Sequence, residues 1–146
     1  FDRLIFTYFH LFPIEEIGKL VKEKGAIFHV DAVQAVGKVP LQMSRSTIDL
    51  LSLSGHKFHA PKGVGALYVR KGTKLQPQSV GGHQEHGLRA GTEAVPNLVA
   101  LGVAAQLAHQ GLAAFHTKVR ERRDRMENWV LQNISIAQRN GHKEQR

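Results

Sequence analysis

The chain has 146 residues, 42% hydrophobic and 22% charged, a balance typical of a globular protein rather than a disordered or collagen-like one. It contains no cysteine, which excludes disulfides, thiolate metal sites and a cysteine nucleophile within this stretch. Much of the net charge of +8 lies in residues 118–125 and 142–146. Because acidic residues interrupt the first of these runs and no aromatic residues interleave with its cations, a solvated helix is favoured over a nucleic-acid interface.

The same composition bears on location. We expect no apolar run to reach the roughly 20 residues of a membrane span. The N-terminus carries an early acidic residue and no small-residue cleavage site, unlike a signal peptide. With no cysteine present, we expect a cytoplasmic protein with no membrane association. The chain begins with Phe1 rather than Met, which indicates a fragment or a processed product.

The first predicted element is a helix over residues 13–25, with Pro13 at its first position and Gly25 just past its end. Its apolar residues fall on one stripe, made of Ile14, Ile17, Leu20 and Val21. The run "AIFHVDA" follows and predicts a strand that ends at Asp31, with a short helical turn after it near residues 33–36.

Two more strands are predicted, over residues 48–55 and 63–71. A polar, glycine-rich loop follows at residues 79–92, and residues 96–130 read as helix with a break at Gly111. Short buried strands mixed with helices predict an α/β fold. Three such strands have too few helices to cover them, so an oligomer or further chain is expected.

The polar residues of interest stand where two of these strands end. Asp31 follows the first strand, and Ser54, His56 and Lys57 follow the second. Taken alone, Asp31 is an N-cap for the next turn, Gln34 is a surface amide and Lys57 is a surface lysine. Taken together they suit an aldehyde cofactor, because an amine can bond to the aldehyde, a carboxylate can hold a pyridine nitrogen protonated, and hydroxyl and imidazole groups can bind phosphate. Pyridoxal 5'-phosphate (PLP) meets each requirement.

Three long motifs add a resemblance. The stretches "HVDAVQAVGKVP", "DLLSLSGHKFHAPKGVGALYVRK" and "GGHQEHGLRAGTEAVPNLVALG" resemble, in the same order, the NifS/IscS-type cysteine desulfurases of the class V aminotransferase group of PLP enzymes. The resemblance implies part of the large PLP-binding domain of a fold-type I transferase, a mixed sheet covered by helices, over residues 1–111. Residues 112–146 would be a helix leading into an incomplete, smaller C-terminal domain.

The resemblance also implies residue roles. Lys57 is similar to the catalytic lysine that carries the cofactor and later acts as the proton-transfer base. Asp31 matches the carboxylate paired with the pyridine nitrogen, and Gln34 matches the residue that hydrogen-bonds the phenolic oxygen. Ser54 and His56 match phosphate ligands. Thr92 resembles a residue that reaches the phosphate of the neighbouring subunit, which implies a homodimer.

The implied activity is conversion of L-cysteine to L-alanine, with the sulfur passed to an enzyme cysteine as a persulfide for sulfur or iron–sulfur cluster supply, with a sulfur-acceptor protein as a further partner. Three alternatives stay open: a selenocysteine lyase, a class V aminotransferase, or a non-catalytic remnant. Because the chain lacks a cysteine, we expect it to be inactive as a desulfurase by itself.

Other residues depart from the resemblance or stand outside it. The family's paired asparagines would fall at Ile5 and Phe6, where the sequence has none. His83 and His86 have a spacing that suggests a metal, but no third ligand is identifiable, so no metal is predicted. Arg89 either binds an anion or braces its loop. His29, on an apolar strand, is expected to be a core histidine.

Overall fold

A computed structural model of the chain describes residues 11–144, which contain two α-helices, three strands and two 3-10 turns. We call the first of these turns the lysine turn, because it contains Lys57. Ile5 and Phe6, the positions expected to hold asparagine, lie outside the described residues. The elements in chain order are α1 (Ile14–Glu23), β1 (His29–Asp31), β2 (Leu50–Ser54), the lysine turn (Gly55–Phe58), β3 (Gly65–Val69), a second 3-10 turn (Glu85–Gly87) and α2 (Val95–Asn133).

The three strands form one mixed sheet in the order β1-β2-β3. β1 and β2 run parallel, with Asp31 opposite Ser52, whereas β2 and β3 run antiparallel, with Leu51 opposite Tyr68. A mixed sheet flanked by helices confirms the predicted α/β class. The parallel pair needs a crossover, and the 18 residues between Asp31 and Leu50 supply it.

The main core lies on one face of this sheet. Phe28, Ala32, Ile48 and Leu51 are its buried members, and α1 packs against them through Ile14, Ile17 and Val21. Leu20 was predicted to share that stripe, but its side chain is 63% exposed. Successive helical residues are rotated by about 100° around the helix axis. The face of α1 that contacts the sheet is narrower than the apolar stripe in the sequence, and Leu20 lies outside it.

A buried carboxylate joins α1 to the sheet. Asp49 is 6% exposed, and it accepts hydrogen bonds from the Lys22 ammonium and from the Phe28 N–H, the latter at 2.8 Å. The Lys22 hydrogen bond, the Phe28 N–H and the charges of Lys22 and Arg70 lower the pKa of Asp49 against the opposing effect of burial. This ion pair therefore fixes α1 against the start of β2.

A second, smaller core supports the lysine turn. Its buried members are Phe58 from the turn, Ala60 and Val64 from the loop after it, and Ala104 from α2. The turn is thus held between the sheet and α2 rather than lying loose on the surface.

α2 is continuous from Val95 to Asn133, so the break predicted at Gly111 is wrong. Apart from the backbone of its own helix turn, no atom of residues 11–144 lies within 4 Å of a Cβ added to Gly111. A glycine inside a helix lowers stability without necessarily interrupting the hydrogen-bond ladder, which explains the difference. The division of the chain into residues 1–111 and 112–146 stays a prediction.

The first half of α2 is more apolar than we expected from the sequence. It contains an 18-residue window of mean hydropathy 1.5, long and apolar enough by length and composition to cross a membrane. The expectation that no run reaches this length is therefore wrong, although one side of the helix packs on the lysine turn through Leu101, Ala104 and Ala108. The absence of membrane association stays a prediction. Several other apolar side chains of this half are exposed: Val95, Leu98, Val99, Val103 and Leu107.

The Asp49 ion pair predicts a pH-dependent stability. A carboxyl group whose pKa is lower in the folded state contributes stability above its unfolded pKa of about 3.9, and this contribution is lost as the pH falls through the folded pKa. We expect Asp49→Asn to reduce the free energy of unfolding by about 1–3 kcal/mol at pH 7, because Lys22 and the Phe28 N–H lose a charged acceptor. The difference from the unsubstituted chain should shrink at pH 3, as measured by urea unfolding at both pH values.

Glu16→Gln is the matched control, since Glu16 is an exposed carboxylate in the same helix, and it should leave stability nearly unchanged at both pH values. An Asp49→Asn penalty of equal size at pH 7 and pH 3 would contradict the account.

Candidate functional site

The parallel pairing of β1 and β2 brings the carboxyl ends of both strands to one edge of the sheet. Val30 and Leu51 are register partners that belong to the core face, so the neighbouring partners Asp31 and Ser52 lie on the opposite face. Ser54, two residues after Ser52, is on that same face. The sequence prediction that Asp31 and the residues after β2 lie at comparable strand ends is confirmed.

Asp31 is exposed and caps the turn that follows β1. Its Oδ1 accepts a hydrogen bond from the Val33 N–H at 2.9 Å. The capping role considered for this residue is therefore present in the structure. Within residues 11–144, this is the one hydrogen bond found for the Asp31 carboxylate. A carboxylate has about four acceptor sites, so the cap leaves Oδ2 able to accept from a ligand.

Gln34 is exposed on the same turn, and its amide has a partner. Oε1 accepts a hydrogen bond from the Lys38 Nζ at 2.9 Å. The turn that carries Gln34 and Lys38 is anchored by Ala32, which is 1% exposed and whose carbonyl accepts from the N–H groups of Ala35 and Val36. Gln34 therefore extends from a backbone that packing holds in place.

Ser54 and His56 contact each other at the start of the lysine turn. Ser54 Oγ lies 2.8 Å from His56 Nδ1. Either the hydroxyl donates to an unprotonated Nδ1, which leaves an N–H at Nε2, or Nδ1–H donates to the hydroxyl oxygen, which leaves the hydroxyl hydrogen free. In both arrangements the pair retains a donor for an anion.

Lys57 is half-buried in the lysine turn, between a buried Gly55 and a buried Phe58. Within residues 11–144 its ammonium forms no hydrogen bond or ion pair, so the amine is not committed to a structural contact. The turn ends at His59, whose φ of 74° lies in the left-handed region. The chain thus reverses directly after Lys57 and returns through Gly63, at φ 85°, to β3.

Thr92 is not brought to this edge by any hydrogen bond in the part of the chain that the structure describes. It is exposed on the loop before α2. That loop is closed by two hydrogen bonds, from the Ala90 N–H to the Ser79 carbonyl at 3.0 Å and from the Gly91 N–H to the Gln84 side-chain oxygen at 3.1 Å. A role for Thr92 toward a neighbouring subunit stays a prediction.

Two polar residues of the exposed face were missed or misassigned. His29 was expected in the core, but it is exposed, and its Nε2 lies 3.3 Å from Ser52 Oγ. Strand alternation could have corrected this, since His29 and Asp31 are two residues apart and must share a face. Ser52 could have been found in the same way from Ser54.

The histidines of the 79–92 loop do not form a metal centre in the structure. Within residues 11–144, no group of three or more His, Cys, Asp or Glu side chains could hold a metal ion. Glu85 and His86 both have positive φ values, 50° and 57°. Arg89 donates to the Ala90 carbonyl, a contact that favours bracing of the loop over the anion site considered for this residue.

The donor set at the edge fits PLP. Asp31 offers a carboxylate, Gln34 an amide, Ser54 and His56 a donor for phosphate, and Lys57 an amine, all from two adjacent strand ends. These groups are the ones that a protonated pyridine, a phenolic oxygen, a phosphate and an aldehyde require.

Comparison with known proteins gives the chain a family context. The family model described as aminotransferase class-V matches residues 10–146. Cysteine desulfurase of Trichormus azollae is 59% identical over 136 residues, which cover 93% of this chain and 34% of that protein. Cysteine desulfurase NifS of Azotobacter vinelandii is 52% identical over 127 residues, covering 87% of this chain and 32% of that protein. The chain thus spans about a third of the length of these curated relatives.

Solved structures give the same picture. A NifS-like protein superposes with a TM-score of 0.81 at 38% identity, covering 84% of this chain and 34% of that one. The structure of SspA in complex with cysteine superposes with a TM-score of 0.65 at 46% identity, covering 68% of this chain and 29% of that one.

The close packing beneath Lys57 predicts that Gly55 cannot be replaced without cost. A Cβ added there would lie 2.8 Å from Leu101 Cδ1, 2.9 Å from Ala60 Cβ and 3.0 Å from the Val64 carbonyl oxygen. We expect Gly55→Ala to lower the free energy of unfolding by about 1–3 kcal/mol through overpacking. Urea unfolding followed by circular dichroism measures the change.

Gly111→Ala adds the same methyl group at a position that, in the described part of the chain, no atom outside its own helix backbone approaches within 4 Å. We expect it to stabilise the chain by about 0.5–1 kcal/mol, because alanine is the better helix former. Equal effects of the two substitutions would contradict the packing described for the lysine turn.

Proposed function

Because the chain belongs to the class-V aminotransferase family, we propose that the edge formed by β1 and β2 is the PLP site of a cysteine desulfurase. The activity proposed is removal of sulfur from L-cysteine, which leaves L-alanine and transfers the sulfur to an enzyme cysteine as a persulfide. The observation that carries the proposal is the parallel pairing that sets Asp31 beside the strand leading to Lys57. Enzymes of this family are PLP-dependent.

PLP, once bound, supplies an electron-withdrawing ring that stabilises negative charge developing at the substrate α-carbon. Asp31 supports this chemistry from the end of β1. Its Oδ2 would accept a hydrogen bond from the protonated pyridine nitrogen and so favour the positively charged form of that nitrogen. Capping of the turn through Oδ1 holds the carboxylate in orientation for this role.

Lys57 has two roles in the proposal. Its amine would hold the cofactor by condensing with the aldehyde, whose oxygen leaves as water, and once free again its Nζ would accept and return the proton of the substrate α-carbon. Support for both roles comes from the burial of Gly55 and Phe58 on either side, which limits how far Nζ can move from the strand end.

Ser54 and His56 bind the cofactor phosphate in this proposal, and Thr92 of a second copy completes the site. The donor that the Ser54–His56 pair retains suits a phosphate oxygen. A homodimer follows from the role of Thr92, and the exposed position of this residue on the loop before α2 supports it.

The substrate, acceptor and location are also proposals. The relatives named cysteine desulfurase and the cysteine complex of SspA support L-cysteine as substrate. These 146 residues contain no cysteine, so the thiol that takes the sulfur is not among them. We propose that a sulfur-acceptor protein receives the persulfide sulfur for iron–sulfur cluster supply, and that the protein works in the cytoplasm.

Addition of PLP tests the cofactor site directly. We expect the chain to develop a visible absorbance band and to retain it on gel filtration, and Lys57→Ala to lose that band, because the covalent bond to the cofactor requires this amine. Lys62→Ala is the matched control, since Lys62 is an exposed lysine of the same loop, and it should keep the band. Equal spectra for Lys57→Ala and the unsubstituted chain would refute the assignment.

A further inference from the structure

The contact between Lys38 and Gln34 fixes the orientation of the glutamine amide as well as its position. Lys38 Nζ donates to Gln34 Oε1 at 2.9 Å across the turn that follows β1. An ammonium group has donors only, so it can bond to the oxygen of the amide but not to its nitrogen. The chemistry of the pair therefore requires the Gln34 oxygen to face Lys38, and the NH2 group must point the other way.

We propose that Lys38 is a positioning residue that makes Gln34 a hydrogen-bond donor toward the anionic ring oxygen of the bound cofactor. The inference rests on the proposed function. An amide that is free to rotate has two orientations. In one of them its oxygen would face the anionic ring oxygen, and the two oxygens would repel each other. With Lys38 in place, Gln34 can offer only N–H groups, and a donor stabilises negative charge on the ring oxygen.

The surroundings of the turn restrict what else could orient Gln34. Ala32 anchors the turn in the main core, and α2 approaches it with Ala108, whose Cβ would lie 3.2 Å from a Cβ added to Gly37. Lys38 itself is half-buried. Within residues 11–144, the other titratable groups at the carboxyl ends of β1 and β2 are Asp31, His56 and Lys57, and His29 lies on the same face at the start of β1. All four are present in every variant compared, so a difference between variants does not come from their removal.

The proposal has a spectroscopic consequence with a definite sign. The visible absorbance of the bound cofactor would change with pH as the Lys57 nitrogen that joins it to the protein loses its proton. Loss of this proton removes the positive charge that compensates the negative charge of the ring oxygen. A donor to that oxygen favours the deprotonated form and lowers the midpoint of the change. Loss of Lys38 should therefore raise the midpoint, by about half a pH unit to one pH unit for a hydrogen bond to a charged group.

The experiment is a pH titration of the visible absorbance of the PLP-loaded chain. We expect Lys38→Met and Lys38→Ala to raise the midpoint by similar amounts, so the result does not depend on the folding of one variant. Lys38→Arg should keep the original midpoint, because the guanidinium also donates and cannot accept.

The Gln34→Ala background separates positioning from charge. If Lys38 acts through Gln34, Lys38→Met should shift the midpoint much less in this background, as a double-mutant cycle detects. An equal shift in both backgrounds, or no shift from Lys38→Met alone, would overturn the inference while leaving the proposed function standing. Absence of any visible band in the unsubstituted chain would overturn both.

Discussion

The parallel pairing of β1 with β2 is the constraint on which the candidate site depends. It sets Asp31 opposite Ser52 and turns both away from the core face formed by Val30 and Leu51. Parallel neighbours end at the same edge of a sheet, so residues separated by more than 20 positions in the chain meet there. An antiparallel arrangement of these two strands would place Asp31 at the opposite end from Lys57.

Two adjoining groups of contacts hold this edge in place. Beside the main core, the buried Asp49 accepts from Lys22 of α1 and from the Phe28 N–H, which couples the helix to the start of β2. In the smaller core, Phe58 packs against Ala104 of α2 and keeps the lysine turn on the sheet. Asp31, Gln34 and His56 are exposed and Ser54 and Lys57 are half-buried, while their backbone is anchored by apolar contacts, the arrangement expected of a preformed ligand site.

Local pattern in the sequence predicted the three strands, the helices and the meeting of Asp31 with the residues after β2. It failed at His29, Gly111 and Asp49, for three different reasons. His29 was assigned to the core because its neighbours are apolar, although strand alternation puts it with Asp31. Gly111 was taken as a break, because sequence alone does not reveal that one glycine can be tolerated in a long helix. Asp49 was overlooked, since its partner Lys22 is 27 residues away.

The most direct test of the account is to locate the cofactor on the chain. PLP is added, the bond to the protein is reduced with borohydride, and the labelled peptide is identified by mass spectrometry. The account predicts that the label falls on Lys57 and that Asp31→Asn weakens its incorporation, because the two residues serve one site across the β1–β2 pair. A label spread evenly over exposed lysines would contradict it. So would an amount of label at Lys57 that is unchanged by Asp31→Asn.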